Sequence, residues 1–160
     1  MKKNIGFSLI ELLVVVAIIG VLAAVGVVGF SGYMSIAKEN VTNANHVTIV
    51  KFIRNSIILC ETGAELILNS PSGKTSNQCS KLYQGNLANF RAAMVTHFQY
   101  EGFTSVLDGG NYSNSGSKPS IIGKTKISYA FNASGSSCFS LVVISKVADK
   151  EYLETEICKP

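Results

Sequence analysis

The longest unbroken pattern along this chain is apolar. Residues 7–30 are almost wholly aliphatic, aromatic or small, and Glu11 is the one charged residue among them. A helix over that stretch is about 36 Å long at 1.5 Å per residue. The hydrocarbon core of a bilayer is about 30 Å thick, so such a helix spans it with some tilt. Ahead of it stands Met1-Lys2-Lys3-Asn4-Ile5-Gly6, a short basic leader that the positive-inside rule keeps on the cytoplasmic side.

From residue 34 the pattern turns amphipathic. Ile36, Val47, Val50, Ile53, Ile57 and Cys60 recur mostly at spacings of three and four, which describes one apolar helix face. Lys38, Asn45, Lys51 and Asn55 lie largely off that face. The spacing predicts one continuous helix over residues 7–59, stopped at Thr62-Gly63. Residues 7–30 form its membrane-spanning half, and residues 31–61 form an amphipathic half laid on a head of residues 62–160.

Within the head, residues 62–85 read as an irregular loop, with a polar turn cluster at 69–77. Residues 86–100 predict a short helix with Leu87, Phe90, Met94 and Phe98 on one side. Residues 108–119, rich in Gly, Ser and Asn, predict a loop. Three strands are expected at 126–133, 138–147 and 152–158, the first two joined as a hairpin through 132–137. Ile127/Tyr129/Phe131 and Phe139/Leu141/Val143 alternate as a sheet with one buried face requires. The expected class is α+β: a long helix packed on an antiparallel sheet.

Composition changes this picture little. The chain is 47% hydrophobic and 15% charged, and its excess of apolar residues is concentrated in the N-terminal run. Of the formal charge of +4, Lys2 and Lys3 supply two, and the remainder is too small and scattered for a nucleic-acid stripe. Nucleic acid enters only as a cargo, and the charge does not point to it. Metalloprotease, hydrolase and phosphate-loop motifs are absent from the sequence. His46 reads as a surface or helix–sheet contact, and His97 as a satisfied structural histidine rather than a base. Asp149, Glu151, Glu154 and Glu156 read as a solvated strand face rather than a calcium site. Asn40, Asn111 and Asn132 open glycosylation sequons, a triplet that arises often by chance. Cys60, Cys79, Cys138 and Cys158 include no C-x-x-C pair, so disulfides in an oxidising compartment are expected in place of zinc. A structural protein is expected, without enzymatic activity, cofactor or metal.

The charge inside the apolar run carries the functional reading. An ordinary signal peptide has an uncharged apolar core of roughly 7–15 residues, whereas this run is longer and holds a carboxylate that costs about 2.5–3.5 kcal/mol to insert deeply. Gly6-Phe7-Ser8-Leu9-Ile10-Glu11 closely resembles the processing motif of type IV prepilins. The resemblance continues through Leu12, Leu13, Val14, Ala17, Ile18, Ile19, Gly20, Leu22, Ala23 and Ala24 to Tyr33. From Lys38 onward only the layout is compatible.

The resemblance implies that a prepilin peptidase cuts between Gly6 and Phe7, that the new amine of Phe7 is methylated, and that Glu11 pairs with the amine of a neighbouring subunit. An inner-membrane assembly machinery would then build a homopolymeric extracellular fimbrium for adhesion, surface motility or DNA uptake. A pseudopilin of a type II secretion system and a minor pilin are the alternatives. The sequence departs from many members in having Val28 where they have proline; Gly26, Gly29 and Gly32 stand around it, either to let the helix melt on assembly or to allow close packing. Of the three cysteine pairings, Cys60–Cys79 and Cys138–Cys158 are expected. The first staples the helix end to the following loop, and the second resembles the C-terminal disulfide loop of many pilins. Each closes about 20 residues, worth roughly 3 kcal/mol.

Overall fold

None of the chain's three prolines falls between residues 7 and 61, and α1 (Leu9–Glu61) runs 53 residues without a break in a computed structural model. The structure describes residues 7–76, 78–83, 87–103, 106–107, 118–131 and 139–158. The chain divides into two units, Met1–Ala37 and Lys38–Pro160, so α1 contributes its first part to one unit and its remainder to the other. Its C-terminal end is closed as expected. Gly63 adopts φ +75°, the Gly63 N–H donates to Cys60 O at 3.1 Å, and the Ala64 N–H donates to Leu59 O at 3.2 Å. This paired arrangement satisfies carbonyls that a helix end leaves open, and it needs a residue tolerant of positive φ.

In the unit Lys38–Pro160, α1 buries Thr42, His46, Ile49, Val50, Ile53, Ser56, Ile57 and Cys60. This stripe differs from the apolar face read from the sequence. Val47 is 47% exposed, and Ile36, in the other unit, is 60% exposed; Ile49 is wholly buried in their place. Hydropathy misses the stripe because three of its members are polar. Thr42 and Ser56 enter it by donating back to the Lys38 and Phe52 carbonyls at 2.6 and 2.8 Å, which removes most of the penalty for burying a hydroxyl.

Residues 62–85, expected as irregular, contain a hairpin and a helical turn. β1 (Leu68–Ser70) pairs antiparallel with β2 (Gly73–Thr75) across Pro71-Ser72, and α2 (Cys79–Tyr83) follows. Strands of three residues are too short for an alternating pattern to register. Cys60 and Cys79 are disulfide-bonded with Cα atoms 5.3 Å apart, tying α2 to the end of α1. Then comes α3 (Leu87–Tyr100), and Leu87, Phe90, Met94 and Phe98 are all buried along one side of it. Much of the expected loop at 108–119, and all of the expected hairpin connection at 132–137, lies outside the described residues.

The main sheet has the order β3 (Thr125–Phe131), β4 (Phe139–Ala148), β5 (Glu151–Cys158), antiparallel throughout, with Ile127 opposite Val143 and Val143 opposite Thr155. Ile127, Leu141, Val143 and Ile157 join the α1 and α3 side chains in one core. The single buried face expected of β4 is incomplete as a description: Ser140 through Ser145 are all buried, so Val142 and Ile144 are also covered on the second face. The side chains of Tyr129, Phe131 and Phe139 lie outside the described residues.

Helix and sheet are also joined by a polar clasp. His46 Nδ1 lies 2.9 Å from Ser145 Oγ, and Nε2 lies 2.8 Å from Thr155 Oγ1. Ser145 Oγ in turn meets Thr125 Oγ1 at 2.7 Å, so one imidazole on α1 connects with hydroxyls from all three strands. His97 is held differently: its Nδ1 accepts the Asn69 N–H at 3.1 Å and its ring stacks on Phe52 at 4.6 Å.

Burial lowers the pKa of both histidines from 6.5, and Glu101 partly opposes this at His97. The unfolded chain therefore binds more protons than the folded one between 6.5 and the lowered folded values, so stability is full above about pH 6.5 and falls as the pH drops through that window. The unfolding midpoint of the detergent-solubilised chain should decline between pH 7 and pH 5, with a shallower decline in His46→Gln. Replacing Cys60 and Cys79 together by alanine should cost about 3 kcal/mol, read as a lower urea midpoint followed by circular dichroism.

Candidate functional site: the N-terminal helix

The first unit consists almost entirely of one apolar helix. Its start is set by Ser8, whose carbonyl accepts the Leu12 N–H at 3.2 Å while its own N–H donates to Glu11 Oε2 at 3.0 Å. Ser8 is thus the N-cap, and Glu11, three residues on, reaches back to it as in a capping box. Sequence reasoning assigned Glu11 to a partner and overlooked this local use, although the Ser8-x-x-Glu11 spacing was its signal. The position also suits the charge, since a helix N-terminus favours an anion. One accepted bond does not exhaust a carboxylate, which offers about four lone-pair sites.

Beyond Glu11 the helix is apolar on every side. Phe7 is 77% exposed, and Leu9, Ile10, Leu12, Leu13, Ile18, Leu22, Val28 and Phe30 are likewise open. A helix that is hydrophobic all round is stable only when something covers it, and α1 is long and apolar enough to cross a membrane. The glycines add a constraint. A Cβ built at Gly20, Gly26, Gly29 or Gly32 meets no atom within 4 Å, and the helix continues through all four. Packing among the described residues therefore places no demand on their small size, whether they serve melting or close packing. Ser31 Oγ donates to Val28 O at 2.9 Å.

The remaining residues singled out from the sequence fall as follows. Gly6 and Cys138 lie outside the described residues, so neither the Gly6–Phe7 junction nor the Cys138 pairing is described; Cys158 is disulfide-bonded. His46 is buried with both ring nitrogens engaged, as a helix–sheet contact. Glu154 pairs with Lys118 Nζ at 3.4 Å, and among the described residues no group of three or more His, Cys, Asp or Glu is placed to hold a metal.

Residues 1–27 match the family model described as the prokaryotic N-terminal methylation motif. No curated protein and no solved structure matches the chain. The motif is the type IV prepilin leader, and it points to processing by a peptidase and assembly into a pilus, the role of a structural protein rather than an enzyme. That leader, together with a membrane-length helix and an antiparallel sheet, supports a membrane-anchored precursor of the type IV pilin or pseudopilin kind.

Proposed function

We propose that the chain is the structural subunit of an extracellular type IV pilus filament, cut between Gly6 and Phe7, methylated on Phe7 and polymerised through α1. The observation that carries this reading is the uncovered apolar helix with one carboxylate, Glu11, four residues from the amine that cleavage would create. Packing such helices side by side would cover their apolar surface, as a bilayer covers it before assembly. Apolar contact is non-directional, however, and leaves the axial register of neighbouring helices loosely defined. Pairing Glu11 with the Phe7 ammonium of a neighbour would define it, because a slipped subunit strands two charges in an apolar core. A disulfide-stapled head suits the exterior of such a fibre. Adhesion, surface motility and DNA uptake are the roles this filament would serve, with a prepilin peptidase and an inner-membrane assembly machinery as its partners.

Processing is tested by mass spectrometry of exported protein. The mature chain should begin at N-methylated Phe7, and Gly6→Leu should leave the leader attached; an N-terminus at Ala24 would overturn the reading. Assembly is tested at Glu11. Glu11→Gln keeps an acceptor for the Ser8 N–H but cannot compensate a neighbouring ammonium, a loss of about 3–5 kcal/mol by comparison with broken buried pairs. The variant should therefore accumulate, correctly cleaved, in the membrane while sheared filaments fall sharply. Normal filament yield would show that Glu11 does not set register. Loss of secretion in cells that never make fibres would favour the pseudopilin alternative.

A further inference from the structure

In the unit Lys38–Pro160, one cavity combines features that favour positive charge. It has a volume of about 270 Å³ and is lined by Thr48 and Phe52 of α1, His97 and Phe98 of α3, and Glu101 and Phe103 just beyond α3. The Phe98 ring meets Phe52 at 5.2 Å between centroids and Phe103 at 5.5 Å, inclined to them by 68° and 64°. The lining therefore presents aromatic surface in more than one orientation. Phe52 and Phe103 are only half-buried, so that surface is partly open. Aromatic faces carry negative quadrupolar potential and attract cations, most strongly where water is partly excluded.

Two other features carry the same sign. Glu101 brings an exposed carboxylate to the lining, held in place by the Asn69 side-chain amide, which donates to its Oε1. The C-terminal end of α3 also lies here, with the Glu101 N–H on His97 O at 3.0 Å, and the last carbonyls of a helix bear partial negative charge. His97 supplies no opposing charge near neutral pH, because burial keeps its ring on the neutral side.

We propose that this cavity binds a small organic cation with a compact methylated head, a quaternary ammonium of the trimethylammonium type. The lining suits a metal ion poorly: it offers one carboxylate and the His97 imidazole, whose Nδ1 already accepts the Asn69 N–H, against a majority of aromatic carbon. A primary ammonium suits it less well, because that group keeps a strong hydration shell. Methyl groups lie against phenyl faces without losing such a shell, and Glu101 and the end of α3 balance the charge. The volume lies just below the usual range of small-molecule sites and matches a head group rather than a larger ligand. The site stands independently of polymerisation; on a filament it would recur in every subunit, so that weak single sites sum to avidity.

The test uses the full chain in alkyl-maltoside micelles at constant ionic strength. The aromatic NMR signals are followed while choline, or its uncharged carbon analogue 3,3-dimethylbutanol, is added. Choline should shift the Phe52, Phe98 and Phe103 ring signals saturably, with the neutral analogue binding at least about threefold more weakly. Glu101→Gln, an exposed change that leaves the fold intact by circular dichroism, should weaken choline by a similar factor and leave the analogue unaffected. Phe103→Ala should weaken both. Equal binding of the two probes, an unchanged choline affinity in Glu101→Gln, or shifts that never saturate would each overturn the proposal. Filament assembly has no part in this readout, so its outcome is separable from that of the Glu11 experiment.

Discussion

A helix that is apolar around its whole circumference is the constraint on which the rest depends. In water, such a surface exceeds what a soluble monomer leaves exposed, and among the described residues of the unit Met1–Ala37 nothing covers it. The segment must therefore always have an apolar environment, first lipid and then, in the proposed filament, other copies of itself. Moving from one to the other changes the hydrophobic term little, because lipid tails are as apolar as leucine side chains. The free energy that selects the filament must then come from groups that lipid satisfies poorly. In this helix those groups are few: the Glu11 carboxylate, the amine that the proposed cleavage would release at Phe7, and a backbone left uncovered at four glycines.

The second part of α1 meets the opposite problem. It is covered, and the stripe it buries contains three polar side chains. Thr42 and Ser56 are satisfied within the helix itself, so their burial is nearly neutral and says nothing about what lies opposite. His46 is satisfied only across the interface, by Ser145 and Thr155. It is the buried polar member of the stripe whose hydrogen bonds depend on where the sheet sits. That makes its burial acceptable, and it is also why acid is expected to weaken the head. A protonated ring would have to carry its charge among hydroxyls, with no carboxylate bonded to it.

How much could be read beforehand follows from the same physics. The helix was legible because periodicity over many turns overrides local noise, and its stop at Thr62-Gly63 because a positive φ there favours glycine. The short helix over Leu87, Phe90, Met94 and Phe98 and the three long strands were legible for similar reasons. The β1–β2 hairpin was not, since three residues per strand hold too little pattern, and Thr75 and Ser70 look the same in a turn as in a ladder. The buried stripe runs through Ile49 and not Val47, and its polar members His46 and Ser56 give no hydropathy signal, because hydropathy cannot see the bonds that let them be buried. The aromatic cavity was hidden for a further reason: Phe52 and Phe103 are far apart in sequence, and only the tertiary fold brings them around Phe98.

Glu11 and His46 are chemically unlike, yet they solve one problem. Each stands alone as an ionisable group on a surface otherwise suited to apolar packing. Apolar contacts tolerate sliding, whereas a hydrogen bond loses most of its strength within a fraction of an ångström or a few tens of degrees. A slip of one residue along α1 moves a side chain by about 1.5 Å and turns it by about 100°, enough to break both His46 bonds at once. The apolar residues supply most of the cohesion between α1 and the sheet, and the imidazole selects one placement among several that cohesion alone would allow. A carboxylate near the start of the uncovered helix is suited to the same task between subunits. The carboxylate already closes the helix on Ser8, so its position is defined before any neighbour arrives. An incoming amine would meet an acceptor whose entropy of ordering has already been lost within the subunit.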